Sequence, residues 1–314
     1  MGGNVFKNHN TKHISEDVLL ELQKELSNLC NSNNVVHYFV KSVKEKKDHG
    51  DIDILYHGDL SFLSSLNYPI HKNGDVTSIL YLNCYQVDFI KTNLDEFKIS
   101  SFFYDYNDFG NLCGRLLKKN GYKLKPSGLF YSYEGLYKKH DILLSKSIID
   151  VLDILQLDIN TYYDGFDTFN DMFTYISKVP TFSSYPYQLE NVSNSDRARD
   201  KKRKTYMLFL DWINDPKNNI PSCSAGNLIY PIYKFDHLEN IINDISLEDE
   251  KEKHFRDNFN GNIVSTLTGL VNKNLGDFMK HMTQKYDKEI LRSYISSSEI
   301  NNLILKEFSL WNWH

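Results

Sequence analysis

The fold is decided by the stretch Asp51-Ile52-Asp53-Ile54-Leu55-Tyr56 of the 314-residue chain. Acidic and aliphatic residues alternate here with a period of two, and this spacing predicts a β-strand. Because alternate side chains of a strand point to the same face of a sheet, we expect both carboxylates to face the same way. Two adjacent carboxylates repel each other unless a cation neutralises them, and a divalent metal ion does this well.

A third carboxylate lies in a second predicted strand, where Asp88 shares a face with Gln86. The runs Val76–Leu82 and Tyr85–Lys91 predict a β-hairpin around this position. If the strand of Asp88 neighbours the first one, three carboxylates can hold two Mg²⁺ ions about 3.5–4 Å apart, the geometry of in-line phosphoryl transfer. The alternative is a surface strand with acidic residues and a coincidental third aspartate.

Hydrophobic spacing predicts further elements on both sides of these aspartates. The predicted helices cover Ser15–Cys30, Asp59–Leu66 and Phe109–Lys119, and a short apolar run predicts a strand over Val35–Val40. The charged segment Ser42–Gly50, which directly precedes the first aspartate, is predicted to be a loop.

The second half of the sequence has a different pattern. From Leu143 to Leu155 the apolar spacing becomes helical, and most of the remaining chain is predicted to be helical with breaks at its prolines. The shift predicts an α+β protein, with an N-terminal mixed-sheet domain over 1–135 followed by a mainly helical domain over 136–314.

Composition limits the classes of protein to consider. The net charge of -5 argues against a protein that coats nucleic acid non-specifically, although a local basic patch is compatible with it. The four cysteines form no Cys-x-x-Cys pair, so the sequence predicts neither a zinc site nor a disulfide framework and favours a cytoplasmic location. No apolar run approaches the roughly 20 residues of a spanning helix, so no membrane association is expected.

The region from Val35 to Lys91 resembles the nucleotidyltransferases of the polymerase-β-like superfamily. That family has a small apolar strand, Gly-Ser or Gly-Gly, a loop, Asp-apolar-Asp, and a third carboxylate on a later strand. The corresponding residues here begin with Phe39-Val40-Lys41-Ser42 and continue through the loop to the three aspartates. The resemblance implies a palm-like catalytic domain in which two Mg²⁺ or Mn²⁺ ions and a nucleoside triphosphate bind. The implied catalytic residues and metal ligands are Asp51, Asp53 and Asp88.

The candidate nucleotide-binding residues are Lys41, Ser42, Lys44, Gly50 and Arg115, of which Ser42 matches the family serine. Arg115 could reach phosphates, although a packed helix with an exposed arginine is the better interpretation of Arg115 taken alone. Lys41 departs from the family pattern, because it stands where the family has the glycine that lets the backbone approach the triphosphate. Its side chain could instead supply charge to the phosphates, or it could mark a weakened site. Lys44, Lys46 and Lys47 follow in the loop, where phosphate contact and a solvated charged turn are equally good interpretations.

A basic segment in the second half provides a candidate surface for nucleic acid. It contains Arg197, Arg199, Lys201, Lys202, Arg203 and Lys204. Such a run is typical of contact with a phosphate backbone, and the apolar sequence that follows predicts that it opens a helix. On one helix, Arg199 and Arg203 would share a face, as would Arg197 and Lys201. The alternative is a solvated face with salt bridges to neighbouring acids.

Other segments resemble nucleotidyltransferases of large DNA viruses and phages, among them 107–116, 195–206 and 259–278. The last is also similar to the C-terminal helical segment of CCA-adding enzymes. This implies transfer of a nucleoside monophosphate to a 3′ hydroxyl of nucleic acid, with tRNA-like RNA favoured over DNA, in host cytoplasm or a virus factory if the protein is viral. A DNA repair-type polymerase and an inert nucleic-acid-binding protein of the same fold remain alternatives, and the oligomeric state stays open.

Overall fold

The computed structural model describes residues 5–6, 8–223, 235, 237–293 and 297–311. They form an α+β protein with a mixed five-stranded sheet in the N-terminal half and a helical C-terminal part. The strands, in chain order, are β1 (Ile14–Ser15), β2 (Val36–Phe39), β3 (Asp48–His49), β4 (Ile52–His57), β5 (Ile70–Asn73), β6 (Val76–Tyr81), β7 (Tyr85–Lys91), β8 (Tyr122–Lys125), β9 (Gly128–Glu134) and β10 (Lys139–Ser145).

The α-helices alternate with strands at first and then dominate the chain. They are α1 (Glu16–Ser32), α2 (Phe97–Tyr104), α3 (Phe109–Lys118), α4 (Ile148–Leu155), α5 (Ile159–Asp164), α6 (Phe169–Ser177), α7 (Asn194–Asp200), α8 (Lys204–Asn214), α9 (His237–Asn258), α10 (Gly261–Thr268), α11 (Asn272–Lys285), α12 (Lys288–Ser293) and α13 (Ser297–Trp311). No helix among the described residues is both long and apolar enough to cross a membrane.

The five-stranded sheet has the strand order β2-β4-β7-β6-β5. Strands β4 and β7 run parallel, and the other neighbouring pairs are antiparallel. One face of the sheet is covered by α1, whose Leu22, Leu26 and Cys30 join Ile54 and Phe89 in one hydrophobic cluster. The predicted helix, strands and hairpin around the aspartates are therefore confirmed, with boundaries that differ by one or two residues.

Two local predictions were wrong. The start of the segment predicted to be helical from Leu143 to Leu155 was wrong, because residues 143–145 end β10, where Ile142 and Leu144 are buried and Leu143 is exposed. Helix α4 begins later, where the side chain of Ser147 accepts a hydrogen bond from the amide of Ile149. The predicted helix at Asp59–Leu66 is a 3₁₀ turn over Ser61–Leu66.

The described chain divides into two compact units that differ from the predicted domains. The first unit comprises residues 1–132 and 141–231, and the second comprises 133–140 and 232–314. The predicted boundary between 135 and 136 thus falls in the turn between β9 and β10, and residues 133–140 around this turn belong to the second unit. The reason is aromatic packing, because Phe109 of α3 stacks against Tyr162 and Tyr175 from helices that the sequence assigned to the helical domain.

The second unit has its own hydrophobic core, which includes Phe255, Phe278 and Ile304. Its buried carboxylate, Glu307, accepts hydrogen bonds from the ammonium of Lys285 at 2.7 Å and the hydroxyl of Tyr286 at 2.6 Å. These donors keep the pKa of Glu307 below its usual value although burial acts in the opposite direction. The unit is therefore a packed helical body with a satisfied polar group at its centre.

Candidate metal centre

The three aspartates predicted as metal ligands converge in space. Asp53 and Asp88 are direct neighbours in register on the parallel strands β4 and β7, and Asp51 immediately precedes β4. One carboxylate oxygen from each residue lies within 4.8 Å of the other two. The alternation of β4 produces this arrangement, because Ile52 and Ile54 are buried in the core while the two aspartates share the opposite direction.

Burial and mutual repulsion raise the pKa of two carboxyl groups of this cluster, those of Asp53 and Asp88. Burial, followed by the negative charges of Asp51 and Asp88, raises the pKa of Asp53 to about 7. Burial also raises the pKa of Asp88, while hydrogen bonds from Ser78 and Gln86 act against that rise. A site that holds like charges together in a partly desolvated pocket is stabilised when a cation enters it.

Gln86 orients the third aspartate. Its side-chain amide nitrogen lies 3.1 Å from Oδ1 and 3.0 Å from Oδ2 of Asp88, and its carbonyl oxygen accepts the backbone N–H of Val5 at 3.3 Å. Ser78 lies opposite Asp88 in the register of β6 and β7 and donates from its side chain. Sequence alternation placed Gln86 on the face of Asp88, so a signal for this contact was present, whereas Ser78 became apparent only once strand pairing was known.

The donor set fits a hard divalent cation. Three carboxylates supply oxygen ligands, and Mg²⁺ is characteristically bound by a few carboxylates together with water and substrate phosphates rather than by a complete protein cage. Mn²⁺ accepts the same ligands. The described residues of this cluster include neither a sulfur nor an imidazole, which zinc would favour.

The loop between β2 and β4 contains four of the predicted nucleotide-binding residues, which differ in their exposure and in their partners. Ser42 and Gly50 are half-buried, and Lys41 is exposed. Lys44 forms an exposed ion pair with Asp167 at 2.7 Å, and its backbone N–H donates to the carbonyl of Phe166. The Lys44 ammonium is therefore engaged by a carboxylate outside the metal cluster.

Lys46 is the basic residue of this loop that faces the aspartates. Burial lowers its pKa, while the charges of Asp51 and Asp53 act in the opposite direction. Lys204, at the start of α8, lies close enough for its charge to lower the pKa of Lys46 further. The sequence marked Lys46 only as one of several loop lysines, because spacing does not show which lysine turns toward the carboxylates.

Arg115 and two arginines of the basic segment form ion pairs within the first unit. Arg115 is buried and its guanidinium pairs with Asp200, which is 0% exposed. Arg199 pairs with Asp196 at 3.0 Å, and Arg203 pairs with Asp108 at 2.5 Å. Arg115 therefore lies in an ion pair with Asp200 and not among the three aspartates of the cluster.

The predicted single helix over the basic segment is also wrong. Helix α7 ends at Asp200 and α8 starts at Lys204, so the intervening Arg203 has extended backbone angles, with φ -95° and ψ 109°. The expected shared face of Arg199 and Arg203 does not form, and Arg197 donates to the backbone carbonyl of Leu189 at 2.7 Å. The exposed basic residues of the segment are Arg199, Lys201, Lys202 and Lys204, and Arg199 is the one of them that pairs with an acid in the described chain.

The comparisons with known proteins leave the site as the principal guide to function. The sequence matches no protein-family model and no curated protein.

Proposed function

We propose that the chain is a metal-dependent nucleotidyltransferase with a palm-like catalytic domain. It would transfer a nucleoside monophosphate from a nucleoside triphosphate to a 3′ hydroxyl of nucleic acid, with release of pyrophosphate. The observation that carries this proposal is the convergence of Asp51, Asp53 and Asp88, whose ligand oxygens lie within 4.8 Å of one another. The position of Asp88, in register with Asp53 on a parallel strand, supports this proposal over a surface strand with coincidental acids.

Divalent ions at this cluster would supply the positive charge that stabilises a transferring phosphoryl group and its leaving pyrophosphate. The chain itself contributes the placement of the three carboxylates on adjacent strands. Gln86 and Ser78 fix the orientation of Asp88 through its two oxygens. This division of roles suits phosphoryl transfer, in which a protein acts mainly by positioning and by electrostatic stabilisation.

Lys46 and Lys204 support a triphosphate as the substrate. Lys46 lies close enough to Asp51 and Asp53 for their charges to act on its ammonium group, and Lys204 lies close enough for its charge to lower the pKa of Lys46. Lys204 also opens an 11-residue helix whose N-terminus lacks a side-chain cap within the described residues. Helix N-termini and paired lysines both favour phosphate, so an anion at this position would relieve the repulsion between the two lysines.

The acceptor is proposed from the exposed lysines and from the family resemblance. Lys201 and Lys202 continue the positive charge of Lys204 along the surface of the first unit. A nucleic-acid acceptor would use such lysines for its phosphates, whereas a small acceptor needs none. RNA is favoured over DNA because the C-terminal segment resembles CCA-adding enzymes.

An extension assay tests the proposal. The protein is incubated with Mg²⁺ or Mn²⁺, each nucleoside triphosphate in turn, and short RNA and DNA primers with and without a template strand. We expect metal-dependent incorporation that Asp51→Asn and Asp53→Asn abolish. Asp17→Asn is the matched control, since Asp17 is an exposed acid on α1 outside the cluster.

The same assay separates the alternatives. Extension of DNA only when a template is present would replace the RNA proposal with a repair-type polymerase. No incorporation under any condition, together with salt-sensitive nucleic-acid binding that survives Asp51→Asn and Asp53→Asn, would contradict the enzymatic proposal and favour an inert binding protein.

A further inference from the structure

Both backbone hydrogen-bonding groups of Lys41 are occupied by residues that follow α2. The backbone N–H of Lys41 donates to Oδ1 of Asp105 at 2.8 Å, and its carbonyl accepts the N–H of Tyr106 at 2.8 Å. Lys41 is the residue at which the family has its glycine, and Ser42 follows directly. The backbone at this position is therefore fixed by the protein itself, and the Lys41 side chain is exposed.

Asp105 is the centre of this arrangement. It is 1% exposed, and its Oδ2 accepts hydrogen bonds from the hydroxyls of Tyr38 at 2.7 Å and Tyr162 at 3.4 Å. One carboxylate thus joins β2, the start of the loop and α5. A buried carboxylate without donors would be strongly unfavourable, so these partners are what keep the group in place.

We propose that Asp105 is a positioning residue that sets the loop from Lys41 to Lys46 for triphosphate binding. This inference rests on the proposed function. Asp105 lies outside the metal cluster and would touch no phosphate. It acts through the backbone of Lys41, and so fixes the direction in which Ser42 and the following loop leave β2. The backbone N–H of Lys41 donates to Asp105 and is therefore not available to a phosphate. The glycine N–H of the family pattern differs in this respect.

The charge of Asp105 matters to this role because a carboxylate accepts all three hydrogen bonds and a carboxylic acid loses acceptor capacity. Burial raises the pKa of Asp105 to about 6, against the opposing effects of the Lys41 amide, the Lys41 charge and the hydroxyls of Tyr38 and Tyr162. Tyr106 is the remaining titratable group that faces it. The hydrogen bonds that hold the loop are therefore complete above about pH 6 and weaken below it.

Protonation should affect nucleotide affinity and folding stability in opposite directions. The pKa of this carboxyl is higher in the folded chain than its ordinary value of 3.8, so protonation of Asp105 favours the folded state as pH falls from about 6 to 4. A loss of nucleotide affinity over that range therefore cannot arise from unfolding caused by this group.

The test compares Asp105→Asn with the wild-type chain in the extension assay between pH 5.5 and pH 8.5. The variant replaces a charged acceptor by a neutral amide, which should raise KM for the nucleotide about tenfold at pH 8 and leave kcat within about twofold. The ratio of the two KM values should fall to about threefold at pH 5.5, where only about a quarter of Asp105 is still ionised. Tyr38→Phe, which removes a single donor, should give a smaller increase in KM.

Amide hydrogen exchange of the loop provides a readout that does not depend on activity. Asp105→Asn should increase exchange across 41–47 and leave the protection of β4 and β7 unchanged. Unchanged KM and unchanged loop exchange in this variant would overturn the inference, as would a KM ratio that is independent of pH. Wild-type protein that neither binds nor incorporates nucleotides would instead overturn the proposed function, and with it this role of Asp105.

Discussion

The aspartate cluster and the basic segment are both rich in charged residues in the sequence, but the fold places their charges differently. The aspartates come from two strands and are brought together as like charges within 4.8 Å. Two arginines of the basic segment, Arg199 and Arg203, are matched with acids of the same unit. Like charges that a fold assembles from separate elements indicate a ligand, whereas a continuous charged run is readily absorbed into ion pairs.

The largest expected effect concerns the arginine that was predicted to bind nucleotide. Arg115→Met should destabilise the protein by about 3–5 kcal/mol, because it leaves the buried Asp200 without its partner. Chemical denaturation followed by circular dichroism measures this change. The control is Lys118→Met on the same helix, since Lys118 is exposed and lies 3.9 Å from Asp196, so its loss should cost about 0–1 kcal/mol. Equal effects of the two substitutions would contradict the structural role of Arg115.

The second expected effect is on the aspartate cluster. Asp53→Asn should reduce nucleotide incorporation by more than about 100-fold. This loss is larger than that expected when a residue that only hydrogen-bonds to a metal ligand is changed. The same substitution should stabilise the metal-free protein at pH 8. The pKa of Asp53 is about 7 in the folded chain against an ordinary 3.8, so this carboxyl destabilises the fold progressively as pH rises from about 4 to 7. Melting curves across that range, without metal, measure the effect.

A melting temperature for Asp53→Asn that equals or falls below that of the metal-free wild type at pH 8 would contradict this electrostatic account. Asp17→Asn is again the control, because it removes the same charge from an exposed position.

A smaller effect is expected at the loop lysine that faces the aspartates. Lys46→Ala should raise KM for the nucleotide about tenfold, which corresponds to the loss of one charge-assisted hydrogen bond. Lys47→Ala is the matched control, because Lys47 is exposed and pairs with Glu16 at 2.6 Å. Steady-state kinetics with varied nucleotide would show the difference, and the same KM for both variants would remove Lys46 from the proposed site.

The smallest effect is expected on the surface lysines. Lys201→Ala and Lys202→Ala should each weaken RNA binding and lower the slope of log affinity against log salt by about one. Fluorescence anisotropy at several salt concentrations measures the slope. Lys217→Ala serves as the control on the same unit. A salt slope that is unchanged in both variants would place the nucleic acid on another surface.

The sequence predicted the elements around the three aspartates well because its signals there are local. The period of two around Asp51 and the hairpin around Asp88 each depend on neighbouring residues, and the facing of the carboxylates follows from strand geometry. What the sequence could not show is that β4 and β7 are adjacent and parallel, since pairing between strands depends on the whole sheet. It therefore predicted the metal ligands as candidates without establishing their convergence.

The remaining predictions failed where distant residues decide the outcome. Arg115 is paired with Asp200, which lies 85 positions away, and no local pattern identifies that partner. Asp105 accepts the backbone N–H of Lys41 from 64 positions away, so this contact could not be inferred from the loop alone. The helical period at Leu143 was misleading because a short apolar run fits both a strand and a helix.

Metal binding is the most direct test of the central claim that the three aspartates form a cation site. Isothermal titration of the metal-free protein with Mn²⁺ at pH 8 should show saturable binding of up to two ions in wild type and Asp17→Asn, and loss of that binding in Asp53→Asn. Identical titration curves for the wild type and Asp53→Asn would contradict the account.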